Sequence, residues 1–279
     1  MLRVHTGDRN LQDTLDMISN QTVPTKVYAF ACEPTQDLRA QLHPYVEHIY
    51  TISQETYDRW SFLNRSMEMT DTPQVVFLDS ECTPVDVHWL AMLLEPCRKQ
   101  EAGAAFSRLM PRSDAHPMIM HDLSRTFDHH GRSQAGMQRH IFSQYAFVCS
   151  RSVWEEQGFQ DSLGAWAGYV WSWNLRRSGT PVVYAHHSRV LFNESYAPGS
   201  LWHRSREEGR VEAELFSWEP KEISLRNYVL SPWARHIRGD WSLSVSQRNV
   251  SGVFASPLIR SIQYIGKCTA FRRAYRKRS

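Results

Sequence analysis

Two carboxylates one residue apart, Asp79 and Glu81, follow an unbroken apolar run, Val75-Val76-Phe77-Leu78. Acids this close repel unless a positive group stands between them, and hard oxygen ligands of this kind suit a divalent cation, Mg2+ or Mn2+. The plainer reading is that they end a strand and cap the helix behind it. The apolar run itself reads as a buried strand that surfaces at its carboxyl end. In α/β sheets that edge is where ligands bind.

The elements around the pair follow from the pattern. Strands are predicted over residues 2–6, 26–31, 46–52 and 74–79, with helices over 10–20, 35–43 and 55–70 between them. This alternation predicts an α/β, doubly wound, mostly parallel sheet with flanking helices. A helix over 84–100, strands over 103–110 and 141–149, helices over 153–157 and 167–178, a strand from 181 and a helix over 200–216 continue the chain, with Gly179 as a helix C-cap. Residues 111–140 are polar and rich in histidine without a clear period, which reads as a long functional loop. Beyond Trp218 the pattern weakens.

The chain has 279 residues, 42% of them apolar, enough for one large α/β domain or two small ones. Its net charge of +3 is unevenly placed. Arg260, Lys267, Arg272, Arg273, Arg276, Lys277 and Arg278 give residues 260–279 seven bases and no acid, leaving 25 bases against 29 acids before them. With Ile262, Ile265 and Phe271 interleaved, this segment reads either as a helix on an anionic membrane surface or as a solvated tail. No nucleic-acid-binding module accompanies the charge, so no nucleic-acid partner is expected. The five cysteines are scattered, none in C-x-x-C spacing, and there is no N-terminal apolar signal or bilayer-length apolar run. The expectation is a reducing, cytoplasmic setting, peripheral to the inner face of the membrane.

Leu78-Asp79-Ser80-Glu81, with Thr83-Pro84, Trp89-Leu90 and Leu93-Leu94 after it, resembles the metal-binding D-x-D segment of family 2 glycosyltransferases. Phe147 to Glu156, then Gly158-Phe159, Asp161, Trp171-Ser172-Trp173 and Gly179, is similar to the block that leads into that family's catalytic Glu-Asp helix. The resemblance implies a GT-A-like domain over residues 1–215, with a nucleotide-sugar half over 1–105 and an acceptor half over 106–215, followed by a C-terminal extension over 216–279. It implies metal-dependent, inverting transfer of a sugar from a nucleotide-sugar to a glycan or lipid-linked acceptor, in cell-surface polysaccharide synthesis. Asp79 and Glu81 would hold Mn2+ or Mg2+. Thr6 and Arg9 of the first loop, Glu33, Arg65 and Asp79 would meet the nucleotide-sugar.

Three departures qualify the resemblance. Glu81 stands where the family has Asp. Ala167-Gly168 align with the Glu-Asp pair whose Asp takes the acceptor's proton. Phe192 falls at a frequent metal-binding histidine, for which His187, beside His186 and near His203, is the replacement candidate. Candidates for the base are Asp122, Asp128 and Glu194, with His129 and His130 beside them. A catalytically inactive binding or scaffold protein of the same fold is the alternative. Trp166, Tyr169 and Trp173 at i, i+3 and i+7 read as a helical core stripe for Trp173, with Trp166 open to an acceptor-sugar role.

Overall fold

The computed structural model describes residues 1–4, 8–53, 59–127, 142–159, 166–193, 197–215 and 224–276. Their strands are β1 (Leu2–Val4), β2 (Tyr28–Cys32), β3 (His48–Ile52), β4 (Gln74–Asp79), β5 (Cys82–Pro84), β6 (Ala104–Pro111), β7 (Ala146–Ser150) and β8 (Val182–Phe192). They form one mixed sheet in the order β3-β2-β1-β4-β7-β6-β8-β5. The first four are mutually parallel, β7 runs antiparallel to both β4 and β6, β8 is parallel to β6, and β5 is antiparallel to β8. The chain winds outward from β1 through β2 to β3, then returns to place β4 on the other side of β1. That reversal is the topological switch point of a doubly wound sheet.

Flanking helices are α1 (Leu11–Ser19), α2 (Gln36–Leu42), α3 (Arg59–Glu68), α4 (Trp89–Arg98), α5 (Pro117–Phe127), α6 (Arg151–Glu156) and α7 (Ala167–Arg177). The apolar run of β4 is explained by its central place. Phe77 stacks on Phe147 of β7 at 4.7 Å and meets Phe62 of α3 and Phe159 edge-on at 5.8 and 5.9 Å. Gly179 ends α7 with a φ of +91°, the left-handed conformation a helix C-terminus favours.

Two elements differ from expectation. The helix predicted from residue 84 starts at Trp89, because Cys82–Pro84 instead pairs with β8 as the sheet's edge strand. An edge tolerates the proline, which has no N–H to give to a ladder. The stretch read as a loop over 111–140 contains α5. Met118, Ile119, Leu123 and Phe127 of α5 are buried at helical spacing, and the intervening polar residues had obscured the period.

Two compact units emerge: Met1–Arg112 with Thr126–Asn193, and Ser113–Arg125 with Glu194–Ser279. The first holds the sheet. The described part of the second is helical: most of α5, α8 (Pro198–Leu215), a π-helical stretch (Leu225–Leu230), α9 (Ser231–Ser246) and α10 (Val250–Arg276). Helix α8, read from sequence with the first domain, packs on α10. At their crossing a Cβ on Gly209 would lie 2.1 Å from the Lys267 carbonyl oxygen, so only glycine admits this approach.

The basic C-terminal segment is not a uniformly solvated tail. Arg260, 1% exposed, makes a double pair of bonds to Asp240 (both 2.7 Å) and to Asp122 (2.7 and 2.9 Å). Lys267 bridges Glu208 at 2.9 Å and Glu212 at 2.5 Å. Tyr228 donates its hydroxyl to Glu212 at 2.8 Å, while Tyr264, Cys268 and Phe271 of α10 complete an apolar cluster with Ala213, Tyr228 and Val229.

Candidate donor site at the carboxyl edge of the sheet

Asp79 is the last residue of β4, beside β1 at the switch point, in register with Arg3. Its backbone N–H donates to the Tyr145 carbonyl at 2.8 Å. Arg3 Nε donates to Asp79 Oδ2 at 3.0 Å, and the Glu81 N–H donates to Asp79 Oδ1 at 3.3 Å. The Ser80 N–H returns to the Arg3 carbonyl at 2.8 Å. Asp79 is therefore a buried carboxylate neutralised by a neighbouring strand's guanidinium, the condition under which such burial is tolerable. The same guanidinium reduces repulsion between Asp79 and Glu81. Glu81 is half-buried just past the strand end, and its carbonyl accepts the Asn193 N–H at 3.0 Å.

This pairing carries the end of β8 to the acid pair. Phe192 lies opposite Cys82 in the β5–β8 ladder, with its ring 4.6 Å from that of Tyr145. The strand end where the resemblance implies a histidine thus carries a buried phenylalanine.

A divalent cation of the Mg2+ type is commonly held by one or two carboxylates, with phosphate and water supplying its other oxygens. Asp79 and Glu81 match that donor set in type and number. Among the described residues no group of three His, Cys, Asp or Glu side chains forms a complete protein cage. The pair therefore fits a cation shared with a phosphate ligand, with one Asp79 oxygen already committed to Arg3.

The remaining sequence candidates separate. Arg9 is exposed in the connection leading from β1 to α1, at the same sheet edge as Asp79. Glu33, exposed just past β2, takes a left-handed backbone with φ +42°, and its N–H donates to the Ile52 carbonyl at 3.2 Å. Since β2, β1 and β4 are adjacent and parallel and Phe30 is level with Asp79, Glu33 stands two strand spacings across and three residues further along, about 14 Å from Asp79. Arg65 does not join them. It occupies the last turn of α3, which leads into the start of β4, whereas Asp79 ends that strand about 17 Å further on. Its neighbour Asn64 has a clear role, accepting from Trp154 Nε1 at 2.9 Å and the Phe159 N–H at 3.2 Å and donating to the Phe159 carbonyl at 2.9 Å.

His187 is likewise displaced. The register of β6 and β8 jumps between Ser107 and Arg108, so residues 186–188 bulge from the ladder. The His187 ring lies 3.8 Å from that of His186, five residues back along β8 from Phe192. That is about 17 Å from the acid pair. Asp122 belongs to the second unit and is held by Arg260. Thr6, Asp128, His129, His130 and Glu194 lie outside the described residues.

At the start of α7, a Cβ on Gly168 would meet Gln144 Cβ at 2.9 Å and the Phe142 ring at 3.1 Å. The position aligned with the family's acid has no room for one. The face of α7 turned to the core carries Val170, Trp171 and Leu175, and Trp171 Nε1 donates to the Gln157 carbonyl at 2.7 Å. Trp166, Tyr169 and Trp173 are half-buried, so Trp173, predicted as core, is not on the core face. The residue that sequence reasoning passed over is Arg3. Its signal was a lone charge between two apolar residues in a strand that neighbours an acid-tipped one.

No protein-family model matches the chain, and no curated protein matches its sequence. Solved structures do match. The mannosyltransferase PcManGT from Pyrobaculum calidifontis, in complex with GDP-Man and Mn2+, superposes with a TM-score of 0.63 over 97% of this chain and 85% of its own, at 12% identity. S. aureus TarS 1-349 gives 0.52 over 100% and 90%, at 10% identity. Glucosyl-3-phosphoglycerate synthase from Mycobacterium tuberculosis, with Mg2+ and uridine-diphosphate, gives 0.53 over 78% and 79%, at 14% identity. The fold is GT-A-like. The α/β architecture expected from the strand–helix alternation is thereby borne out, and the sheet is more mixed than expected because β7 and β5 run against their neighbours.

Proposed function

We propose that this chain is a metal-dependent glycosyltransferase that moves a sugar from a nucleotide-sugar to a glycan or lipid-linked acceptor, in building a cell-surface polysaccharide. The observation that carries the reading is the Arg3-fixed Asp79 with Glu81 beside it, at the carboxyl edge and switch point of a GT-A-like sheet. The likeness to folds solved with GDP-Man and Mn2+ or with uridine-diphosphate and Mg2+ supports it.

In this reading Arg3 holds the Asp79 carboxylate in one orientation. Glu81 presents hard oxygen at the edge, and Arg9 offers positive charge to a diphosphate. Glu33 meets the nucleoside two strands away. A cation held there by Asp79 and Glu81 with the diphosphate would neutralise the charge that grows on the leaving group. Inversion by direct displacement also needs a base for the acceptor hydroxyl. Asp122 is not proposed for it, since both its oxygens are held by Arg260.

The test is calorimetry with UDP and GDP, in Mn2+ and in EDTA, followed by transfer assays. Binding should require metal and weaken at least about tenfold in Glu81→Ala and in the shape-conserving Asp79→Asn. Absence of nucleotide binding in every condition overturns the reading. Metal-dependent binding without transfer to any acceptor leaves the alternative of a binding protein on this fold.

A further inference from the structure

The second unit exposes a cluster of large apolar side chains at the tip of the hairpin made by α9 and α10. Trp241 and Val245 near the end of α9, and Val250, Phe254 and Leu258 at the start of α10, are between 43% and 78% exposed. Trp241 Nε1 donates to the Val253 carbonyl at 2.9 Å, which ties the indole to the start of α10 and joins the two sets into one surface. At 100° per residue, Val250, Phe254, Leu258 and Ile265 share a sector of about 80° on α10, opposite the buried Gly252 and Ser256. Exposed clusters of this kind mark interaction surfaces.

The charge around the cluster says what covers it. From Ser224 to Arg276 the only acid is Asp240, which is buried and bonded to Arg260 and His121. Arg235 and Arg238 of α9 and Arg248, between the two helices, are all exposed in the same hairpin. The partner must offer apolar depth beneath a dense anionic surface. A second copy does not, because a twofold contact would set this arginine collar against itself. Among the described residues no helix is long and apolar enough to cross a membrane, so the hairpin tip suits the interface rather than the bilayer interior.

We propose that the α9–α10 hairpin tip docks on an anionic lipid bilayer. Trp241, Val245, Val250, Phe254 and Leu258 enter the acyl boundary, and the arginines meet lipid phosphates in bidentate fashion. The indole suits the headgroup level, with an apolar body and a polar N–H. This places the contact on a folded surface rather than on the bases of residues 260–279, two of which are internal ion-pair partners. The inference does not depend on sugar transfer, since its readout uses neither nucleotide nor turnover.

The experiment is co-sedimentation of the full chain with vesicles of phosphatidylcholine alone, or with about one-third phosphatidylglycerol. Binding is expected only to the anionic vesicles, and should weaken as salt is raised. The double variant Phe254→Ser/Leu258→Ser, at two exposed positions, should bind about tenfold or more weakly with an unchanged circular dichroism spectrum. Arg235→Ser/Arg238→Ser should also weaken binding. Undiminished binding by Phe254→Ser/Leu258→Ser would mean adsorption of a basic surface without insertion, and overturns the proposal. So does failure to bind anionic vesicles, including the case where sedimentation reports concentration-dependent self-association that the double variant abolishes.

Discussion

Gly168 is the residue at which the likeness to sugar transferases is most sharply broken. An aspartate there would need the space already held by Gln144 and Phe142. Gly168→Asp should therefore not restore a base. It should lower stability by about 1–3 kcal/mol through overpacking, read as a lower urea midpoint, with no gain in transfer rate. A rise in transfer without loss of stability would mean that the local packing yields and that the missing acid is only a substitution. Arg3 and Asp79 teach the complementary lesson. An aspartate ending an apolar run is visible in sequence because the run fixes the strand and the strand fixes the edge. Its partner is invisible, because the register Arg3↔Asp79 is a property of two strands some seventy residues apart.

At the scale of elements, legibility tracked the way each element is stabilised. β4 and α4 bury continuous or periodic apolar faces, and the sequence declares them. Helices α5, α9 and α10 meet through Arg260, Asp122, Asp240 and His121, so charged residues interrupt their buried faces, and these segments read as loop or tail. The bulge at residues 186–188 was equally silent, because no apolar period marks a slipped register. The ion network makes its own prediction. Arg260→Met leaves two carboxylates facing each other without their shared cation, and should cost about 3–5 kcal/mol in urea unfolding. Asp122→Asn, which keeps shape and accepts one bond from Arg260, should lower stability less and leave transfer unchanged. A large loss of transfer in Asp122→Asn at unaltered nucleotide binding would return Asp122 to the list of bases.

At the scale of the whole molecule, the helical unit contains groups whose contribution to stability should answer to acid. Asp240 is held below the ordinary carboxylate range: burial pushes it up, and the hydrogen bonds from Arg260 and His121 outweigh that push. His236, with its Nδ1 3.0 Å from the Tyr264 hydroxyl, is lowered from 6.5 to about 4, first by burial and then by Arg125 and Arg260, against the opposing pull of Asp122. Between those values the unfolded chain binds a proton at His236 that the folded chain refuses, so stability rises with pH across that window. The contribution is complete above about pH 6.5 and lost progressively toward pH 4, up to about 3 kcal/mol. Asp240 acts in the same direction further into acid, below its unfolded value of 3.8. Urea midpoints measured from neutral pH down to the mid-fours should therefore fall. His236→Gln, which keeps a hydrogen-bonding group for Tyr264 and removes the titration, should flatten that slope. An unchanged slope in His236→Gln would assign the acid sensitivity to another group and leave His236 as packing alone.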